Sequence, residues 1–164
     1  MRRSRSVLVI LGLGTLASLA HAGDGWKVVD SKRVGIRMRV PDPSTCETRE
    51  QGKLVGMYCD YTELHVVAIA YAGEVDLADL RKAAQEYSDV SAEHWKRQAT
   101  FRDENGFGIA EAWLAAGKTE SALALVGQSA RRSASVVVFV YGKNSVWKKH
   151  SKEIAHFIET IHAL

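Results

Sequence analysis

Hydrophobic and polar residues alternate along the first part of the chain. Residues 26–30 and 34–40 follow a period of two, which is typical of half-buried strands, and Pro41 ends the second one. Residues 41–52 are polar and rich in turn-forming residues, so we expect a surface loop there. The chain therefore opens with two predicted strands and an exposed connection.

Two further strands and a helix are predicted next. Residues 55–61 and 65–72 read as a hairpin whose second strand is apolar enough to be central. Asp76 is placed to cap a helix. The apolar residues that follow it at helical spacing are Leu77, Leu80, Ala84 and Tyr87. Residues 91–99, with His94 and Trp95, either extend this helix or begin a second short one.

The pattern returns to strands after Thr100. Asn105-Gly106 is the dipeptide that a type I′ hairpin turn requires, with residues 101–104 as one strand and Phe107, Ile109 and Trp113 on one face of the other. Residues 122–129 and 135–141 are the next strands. The second of these is β-branched and aromatic over residues 136–140, as expected for a strand covered on both faces.

A final helix is predicted, capped by Asn144 or Ser145. Its apolar stripe comprises Trp147, Ile154, Phe157, Ile158, Ile161 and Leu164. The order of strands, helix, strands and helix predicts one α+β domain over residues 23–164, with a largely antiparallel sheet of about six or seven strands covered by two main helices.

The first 22 residues have the three parts of a cleavable signal peptide. Arg2, Arg3 and Arg5 are followed by an apolar run over residues 7–19 and by the small-x-small pattern of residues 20–22. The alternative is an uncleaved membrane anchor, but the run is shorter than the roughly 20 residues that span a bilayer. We therefore predict cleavage before Gly23 and export to the periplasm or, alternatively, to the medium.

Cleavage changes the charge of the protein. The chain has 22 Lys and Arg, and loss of the three leader arginines leaves 19, equal to the 19 Asp and Glu. A charge-balanced protein is not expected to bind nucleic acid or a membrane surface through its net charge.

The two cysteines, Cys46 and Cys59, both lie after the leader. An oxidising compartment would couple them, and closing the loop would stabilise the fold by about 3 kcal/mol on a chain-entropy argument. Free thiols and a redox pair are the alternatives, although the C-x-x-C spacing of redox pairs is missing.

The layout resembles the Mog1/PsbP-like fold, which includes the DcrB-like bacterial envelope proteins. The resemblance is carried by residues 34–41 (VGIRMRVP), by the strand at 65–72 leading into the helix at Asp76, and by the closing strand and terminal helix. It implies an αβα sandwich used mostly as a binding scaffold, without common catalytic residues. The cysteine pair is no general mark of that family.

No catalytic or metal motif stands out. Residues 127–131 (GQSAR) lack the last glycine of a nucleophile elbow. His150, His156 and His162 are six apart, which turns successive rings by about 240° around a helix. We therefore expect no catalytic residue, metal or cofactor.

Surface residues give weak candidates for partner binding. Arg131 and Arg132, with Lys118 and Lys143, are candidates for a basic rim at one end of the sheet. The favoured alternative is that these residues only solvate turns. Trp95, beside Lys96 and Arg97, is the tryptophan expected to be most exposed, and hence a partner anchor.

These observations favour a non-enzymatic protein-binding module of the bacterial envelope. Its partner would be another envelope protein or an incoming effector, and a specific version is an immunity protein against a toxin delivered to the periplasm. The alternative is a small-ligand-binding or hydrolytic periplasmic protein, with a pocket between sheet and helix near His94, Glu111 or Trp113.

Overall fold

The structure is a computed structural model that describes residues 25–164, so the predicted leader lies outside the described residues. Over this range the strands are β1 (Trp26–Ser31), β2 (Ile36–Pro41), β3 (Thr45–Gln51), β4 (Leu54–Tyr61), β5 (Leu64–Ala72), β6 (Trp95–Glu104), β7 (Phe107–Ala116), β8 (Glu120–Ser129), β9 (Ala134–Lys143) and β10 (His162–Ala163). The helices are α1 (Leu77–Glu86), α2 (Asn144–Lys149) and α3 (Ser151–Ala155). Ala92–His94 and Ile158–Thr160 form 3-10 turns.

In the described residues the strands make two antiparallel sheets. The large sheet has seven strands in the order β3-β4-β5-β9-β8-β7-β6, and the small sheet has three in the order β1-β2-β10. The sequence prediction of an α+β domain with a largely antiparallel sheet is confirmed.

Strand β9 lies in the middle of the large sheet and is covered on both faces, as predicted. Val138 and Val140 pack into the core beneath the small sheet, whereas Val137 and Phe139 pack beneath α1. These four side chains are completely buried.

Helix α1 covers β8 and β9 on one face of the large sheet. Asp76 caps it as predicted, because its carboxylate accepts a hydrogen bond of 2.7 Å from the Ala78 N–H. Leu80 and Ala84 are buried against the sheet. The helix therefore covers only the centre of that face.

The small sheet covers the opposite face of the large sheet. Ile36, Met38 and Val40 alternate along β2 and are completely buried in this second core. Phe157 and Ile161 join them from the C-terminal segment. The layers are thus α1, the large sheet, and the small sheet with the C-terminal segment.

The predicted continuous C-terminal helix is wrong. The chain forms α2 and α3 with a break at His150, then a 3-10 turn, and ends in β10, which pairs with β2. The backbone N–H of Ala163 donates to Asn105 O at 2.9 Å, so this segment finds partners outside a helix. Its apolar residues therefore lie on two short helices, a 3-10 turn and a strand, and not along one face of a single helix.

Two other local predictions are wrong. Residues 41–52 are not a loop throughout, because β3 pairs with β4 along its whole length while all its side chains stay exposed. Residues 91–99 are not helical beyond one 3-10 turn, because Trp95 begins β6 and pairs with Ala115.

The predicted turn between β6 and β7 is confirmed. Asn105 and Gly106 have φ angles of 50° and 81°, the left-handed conformation that a type I′ turn needs. A register shift between Phe107 and Ile109 then moves Phe107 into the core beneath the small sheet, whereas Trp113 packs on the α1 side. The expectation that Phe107, Ile109 and Trp113 share a face is therefore wrong, because a bulge changes the alternation.

Within residues 25–164, none of the helices has the length and apolar character needed to cross a membrane.

Candidate protein-binding surface

The predicted disulfide between Cys46 and Cys59 is present. The two residues are direct partners in the β3–β4 ladder, and their Cα atoms are 4.1 Å apart. Cys59 is buried in the core beneath the small sheet, so the bond fastens the exposed edge strand to the core.

Trp95 does not form an exposed anchor. Only 6% of its surface is exposed, and its indole N–H donates to Val90 O at 3.3 Å. Lys96 and Arg97 are exposed. Arg97 binds Glu111 at 3.0 Å, and Glu111 also accepts a hydrogen bond from the Trp113 indole at 3.1 Å.

The expected basic rim is not formed. Arg131 and Arg132 lie in the turn between β8 and β9, while Lys118 and Lys143 lie at the opposite end of those strands. Arg132 extends across to the small sheet, where it donates to Lys32 O at 3.4 Å. These cations therefore do not act as one patch.

The expected cavity near His94 is an open cleft of about 400 Å³ over one end of the β6–β7 pair, beside the 3-10 turn Ala92–His94. His94, Lys96 and Leu114 line it, but Glu111 and Trp113 do not. The last two alternate with Leu114 along β7 and belong to the other face of the sheet.

The histidines of the C-terminal segment do not lie on one helix, since His150 is at the break between α2 and α3 and His162 is in β10. The His150 ring lies edge-on to Trp26 and Tyr61, with ring centroids 6.4 and 5.4 Å away, and His156 contacts Glu159 at 3.1 Å. In the described part of the chain, no group of three or more His, Cys, Asp or Glu residues is arranged to hold a metal ion.

An aromatic surface that the sequence analysis did not identify lies beside α1. It comprises Tyr58, Tyr71, Tyr87, Tyr141 and His65, which we call the tyrosine face. They come from β4, β5, the C-terminal end of α1 and β9, and four of the protein's five tyrosines are among them. Tyr87 is 40% exposed and the others are half-buried.

The rings of the tyrosine face are in contact with one another through Phe139. The centroid of Phe139 lies 5.1 Å from that of Tyr87 and 5.6 Å from that of Tyr141, which stacks on His65 at 5.0 Å. The Tyr58 ring lies over the backbone of Gly56, where a Cβ atom would come within 2.7 Å of it. The surface is therefore packed and preformed.

Burial raises the pKa of three hydroxyls on this face. Desolvation, followed by a hydrogen bond with Tyr58, raises the pKa of Tyr87 to about 12. Desolvation is also the main cause that raises the pKa values of Tyr71 and Tyr141. At neutral pH these side chains present uncharged hydrogen-bond donors beside apolar rings.

Carboxylates surround the tyrosine face. Glu86 raises the pKa of Tyr71, and Glu120, Asp60 and Asp89 raise the pKa of Tyr141. The cause is electrostatic repulsion between each carboxylate and the phenolate. The margin of the face therefore carries negative potential.

Two cations beside this face have carboxylate partners of their own. Arg49 lies over the Tyr58 ring at 5.0 Å and pairs with Glu47, and Lys143 pairs with Glu63. They add to the packing of the face but do not offset its four acidic neighbours.

Part of the tyrosine face could have been predicted from the sequence. Tyr58 and Tyr71 occupy positions on the same side of the predicted β4–β5 hairpin. Tyr141 joins them only because β9, some 70 residues further on, pairs with β5 and places Tyr141 opposite His65. That long-range pairing is not readable from local pattern.

Comparisons with solved structures identify proteins of similar fold. No protein-family model and no curated protein matches the chain. The solution structure of cyanobacterial PsbP (CyanoP) from Synechocystis sp. PCC 6803 has a TM-score of 0.53 at 10% identity, covering 93% of this chain and 99% of that one. The Saccharomyces cerevisiae Ran-binding protein Mog1p has a TM-score of 0.52 at 9% identity, covering 84% and 95%. The protein therefore has a Mog1/PsbP-like fold, as the sequence resemblance predicted.

Proposed function

We propose that this protein is an exported, non-enzymatic binding module of the bacterial cell envelope that holds a protein partner against its tyrosine face. The observation that carries the proposal is the convergence of four partly exposed tyrosines from four structural elements. Tyrosine combines a rigid apolar ring with a polar tip, and protein interfaces are enriched in it.

The charge of the margin specifies the chemistry of the partner. Asp60, Glu86, Asp89 and Glu120 favour a partner whose surface carries Lys or Arg around an apolar centre. Such an arrangement speeds association and makes it sensitive to salt. A basic effector arriving from outside the cell fits this requirement, which supports the more specific proposal of an immunity protein.

The predicted leader and the disulfide support action in the periplasm. A disulfide persists where the surroundings are oxidising. We expect material from the periplasmic fraction to begin at Gly23 and to contain no thiol that can be alkylated in the folded protein. Full-length protein with two reactive thiols in the cytosol would contradict this part of the proposal.

The binding proposal is tested by photo-crosslinking in the periplasm. A photoreactive phenylalanine replaces Tyr87 in one variant and Val28 in a control, because Val28 is 59% exposed on the small sheet at the other side of the molecule. We expect a discrete, saturable product from position 87 that is absent from position 28. Equal or absent labelling at the two positions would reject the tyrosine face as the interface.

Once the partner is captured, its affinity gives a second measurement. Replacing a central tyrosine by Ala costs about 2 kcal/mol of binding free energy, or roughly 30-fold in Kd. Tyr87→Ala should show this loss, and Val28→Ala should bind like the wild type. Thermal unfolding of both variants checks that the loss does not come from unfolding.

A further inference from the structure

A cleft of about 270 Å³ lies on the face of the large sheet opposite the tyrosine face. It opens between the β6–β7 hairpin and the 3-10 turn Ile158–Thr160. The small sheet and the C-terminal segment cover the middle of this face but leave the inner side of the hairpin partly open.

The floor of the cleft is apolar and firmly held. Phe107, Ala110, Leu125 and Ile161 are each at most 3% exposed, and they belong to the core beneath the small sheet. Ala110 is the smallest of these residues. Such a floor takes up hydrocarbon and excludes water from it.

Backbone contacts join the hairpin to the C-terminal segment at one side of the cleft. Asn105 O accepts a 2.9 Å hydrogen bond from the Ala163 N–H, and a Cβ atom at Gly106 would lie 2.3 Å from Ala163 O. The hairpin and the C-terminal segment are therefore in direct backbone contact beside the cleft. This contact fixes the backbone on one side of the cleft.

Two carboxylates lie at the mouth of the cleft. Glu104 and Glu159 both line it and are exposed. Glu159 also contacts the His156 imidazole at 3.1 Å. Arg102 pairs in register with Ile109, whereas Phe101 pairs with Ala110, so Arg102 belongs to the other face of β6.

We propose that this cleft binds a small amphiphilic cation, an apolar chain or ring that carries an ammonium group. The apolar part occupies the floor, and the ammonium group lies between Glu104 and Glu159. The Phe101 ring, in the wall of the cleft, adds a cation–π contact of the kind that favours quaternary ammonium groups. The volume is just below that of drug-binding pockets, which selects a small ligand.

The test compares three probes with the same apolar chain. Hexyltrimethylammonium, hexanesulfonate and hexanol are titrated into the exported protein, and binding is followed by calorimetry and by the NMR shifts of Phe101, Ala110 and Ile158. We expect saturable binding of the cationic probe with shifts at these residues. Binding of the sulfonate as tightly as the cation, or no saturable binding of the cation, would overturn the proposal.

Charge variants separate this site from general attraction to an acidic protein. The double variant Glu104→Gln/Glu159→Gln should weaken binding of the cationic probe by at least about fivefold, since two partly screened charges are lost. The control Glu74→Gln/Glu93→Gln removes the same charge from exposed positions outside the cleft and should bind like the wild type. Equal weakening in the two variants would contradict a specific site.

Two further variants test the position of the ligand. Ala110→Leu fills the floor and should abolish binding, with thermal unfolding as the check on its fold. Tyr87→Ala lies on the other face of the sheet and should leave probe binding unchanged. A loss of probe binding in Tyr87→Ala would show that the probe binds at the tyrosine face instead.

Discussion

The ionisation of the Tyr87 hydroxyl makes the stability of the fold depend on pH in the alkaline range. Its pKa rises from 10.0 to about 12, first because of desolvation and then because of the hydrogen bond with Tyr58. Between these two pH values the unfolded chain releases the proton and the folded protein keeps it, so ionisation favours unfolding. The stabilisation from this group is complete below about pH 10 and is lost as the pH approaches 12.

We therefore predict that the free energy of unfolding falls between about pH 10 and pH 12. Tyr71 and Tyr141 shift in the same direction and add to the fall. Urea denaturation across this range measures it, with absorbance at the phenolate band reporting ionisation. Tyr87→Phe should show a shallower fall than the wild type. Identical pH profiles for the two proteins would mean that Tyr87 does not contribute.

Residue identity alone predicted some of these roles and not others. The pairing of Cys46 with Cys59 followed from there being two cysteines in a chain predicted to be exported. The cap at Asp76 followed from its place before a helical pattern. Trp95 was misjudged because the charged Lys96 and Arg97 beside it suggested a surface, although in a strand neighbouring residues point to opposite faces.

At the scale of elements, β3 shows where local pattern fails. Its seven side chains are all exposed, so no alternation of apolar and polar residues marks it as a strand. It is held by the hairpin ladder to β4 and by the disulfide, and neither of these leaves an alternating pattern in the sequence of β3. By contrast, β9 and α1 were predicted well because each carries its burial pattern in its own sequence.

The disulfide should account for much of the stability of this edge. We predict that Cys46→Ser/Cys59→Ser lowers the free energy of unfolding by about 3 kcal/mol, because the unfolded chain regains the entropy of an open loop. Urea denaturation measures the change. Hydrogen exchange should speed up in β3 and remain slow in β9.

Chemical reduction provides the control for this prediction. The reduced wild-type protein should match the double variant, and the reductant should not affect the variant further. A double variant as stable as the oxidised wild type would show that the ladder alone fixes β3.

At the scale of the whole molecule, the two sheets are joined where Gly106 meets Ala163. A Cβ atom at Gly106 would lie 2.3 Å from Ala163 O, whereas one at Gly52 would meet no atom within 4 Å. Both glycines have positive φ angles, 81° and 60°, so both substitutions carry backbone strain. The comparison therefore isolates the contact between the layers.

We predict that Gly106→Ala destabilises the protein by about 3 kcal/mol and Gly52→Ala by about 1 kcal/mol. The smaller figure is the cost of the left-handed conformation, and the difference is the cost of displacing β10. Thermal or urea unfolding of both variants measures it. Equal losses would mean that β10 moves aside freely and that this contact does not hold the layers together.

The overall architecture was more predictable than the candidate binding surface. Fold class follows from the order of elements, which local patterns reveal. The tyrosine face depends on β9 pairing with β5, and the cleft depends on the C-terminal segment turning from helix to strand beside the hairpin. Both features join residues far apart in the chain, and a single sequence carries no direct sign of such contacts.

The bond between Cys46 and Cys59 also bears on when the proposed binding surface is complete. Arg49, three residues after Cys46, contributes to one border of the tyrosine face through its contact with Tyr58. Wherever the thiols stay reduced, that border would depend on backbone pairing of a solvent-exposed strand. Oxidation would then do more than stabilise the fold. It would complete the tyrosine face in the same compartment in which we propose that the partner binds.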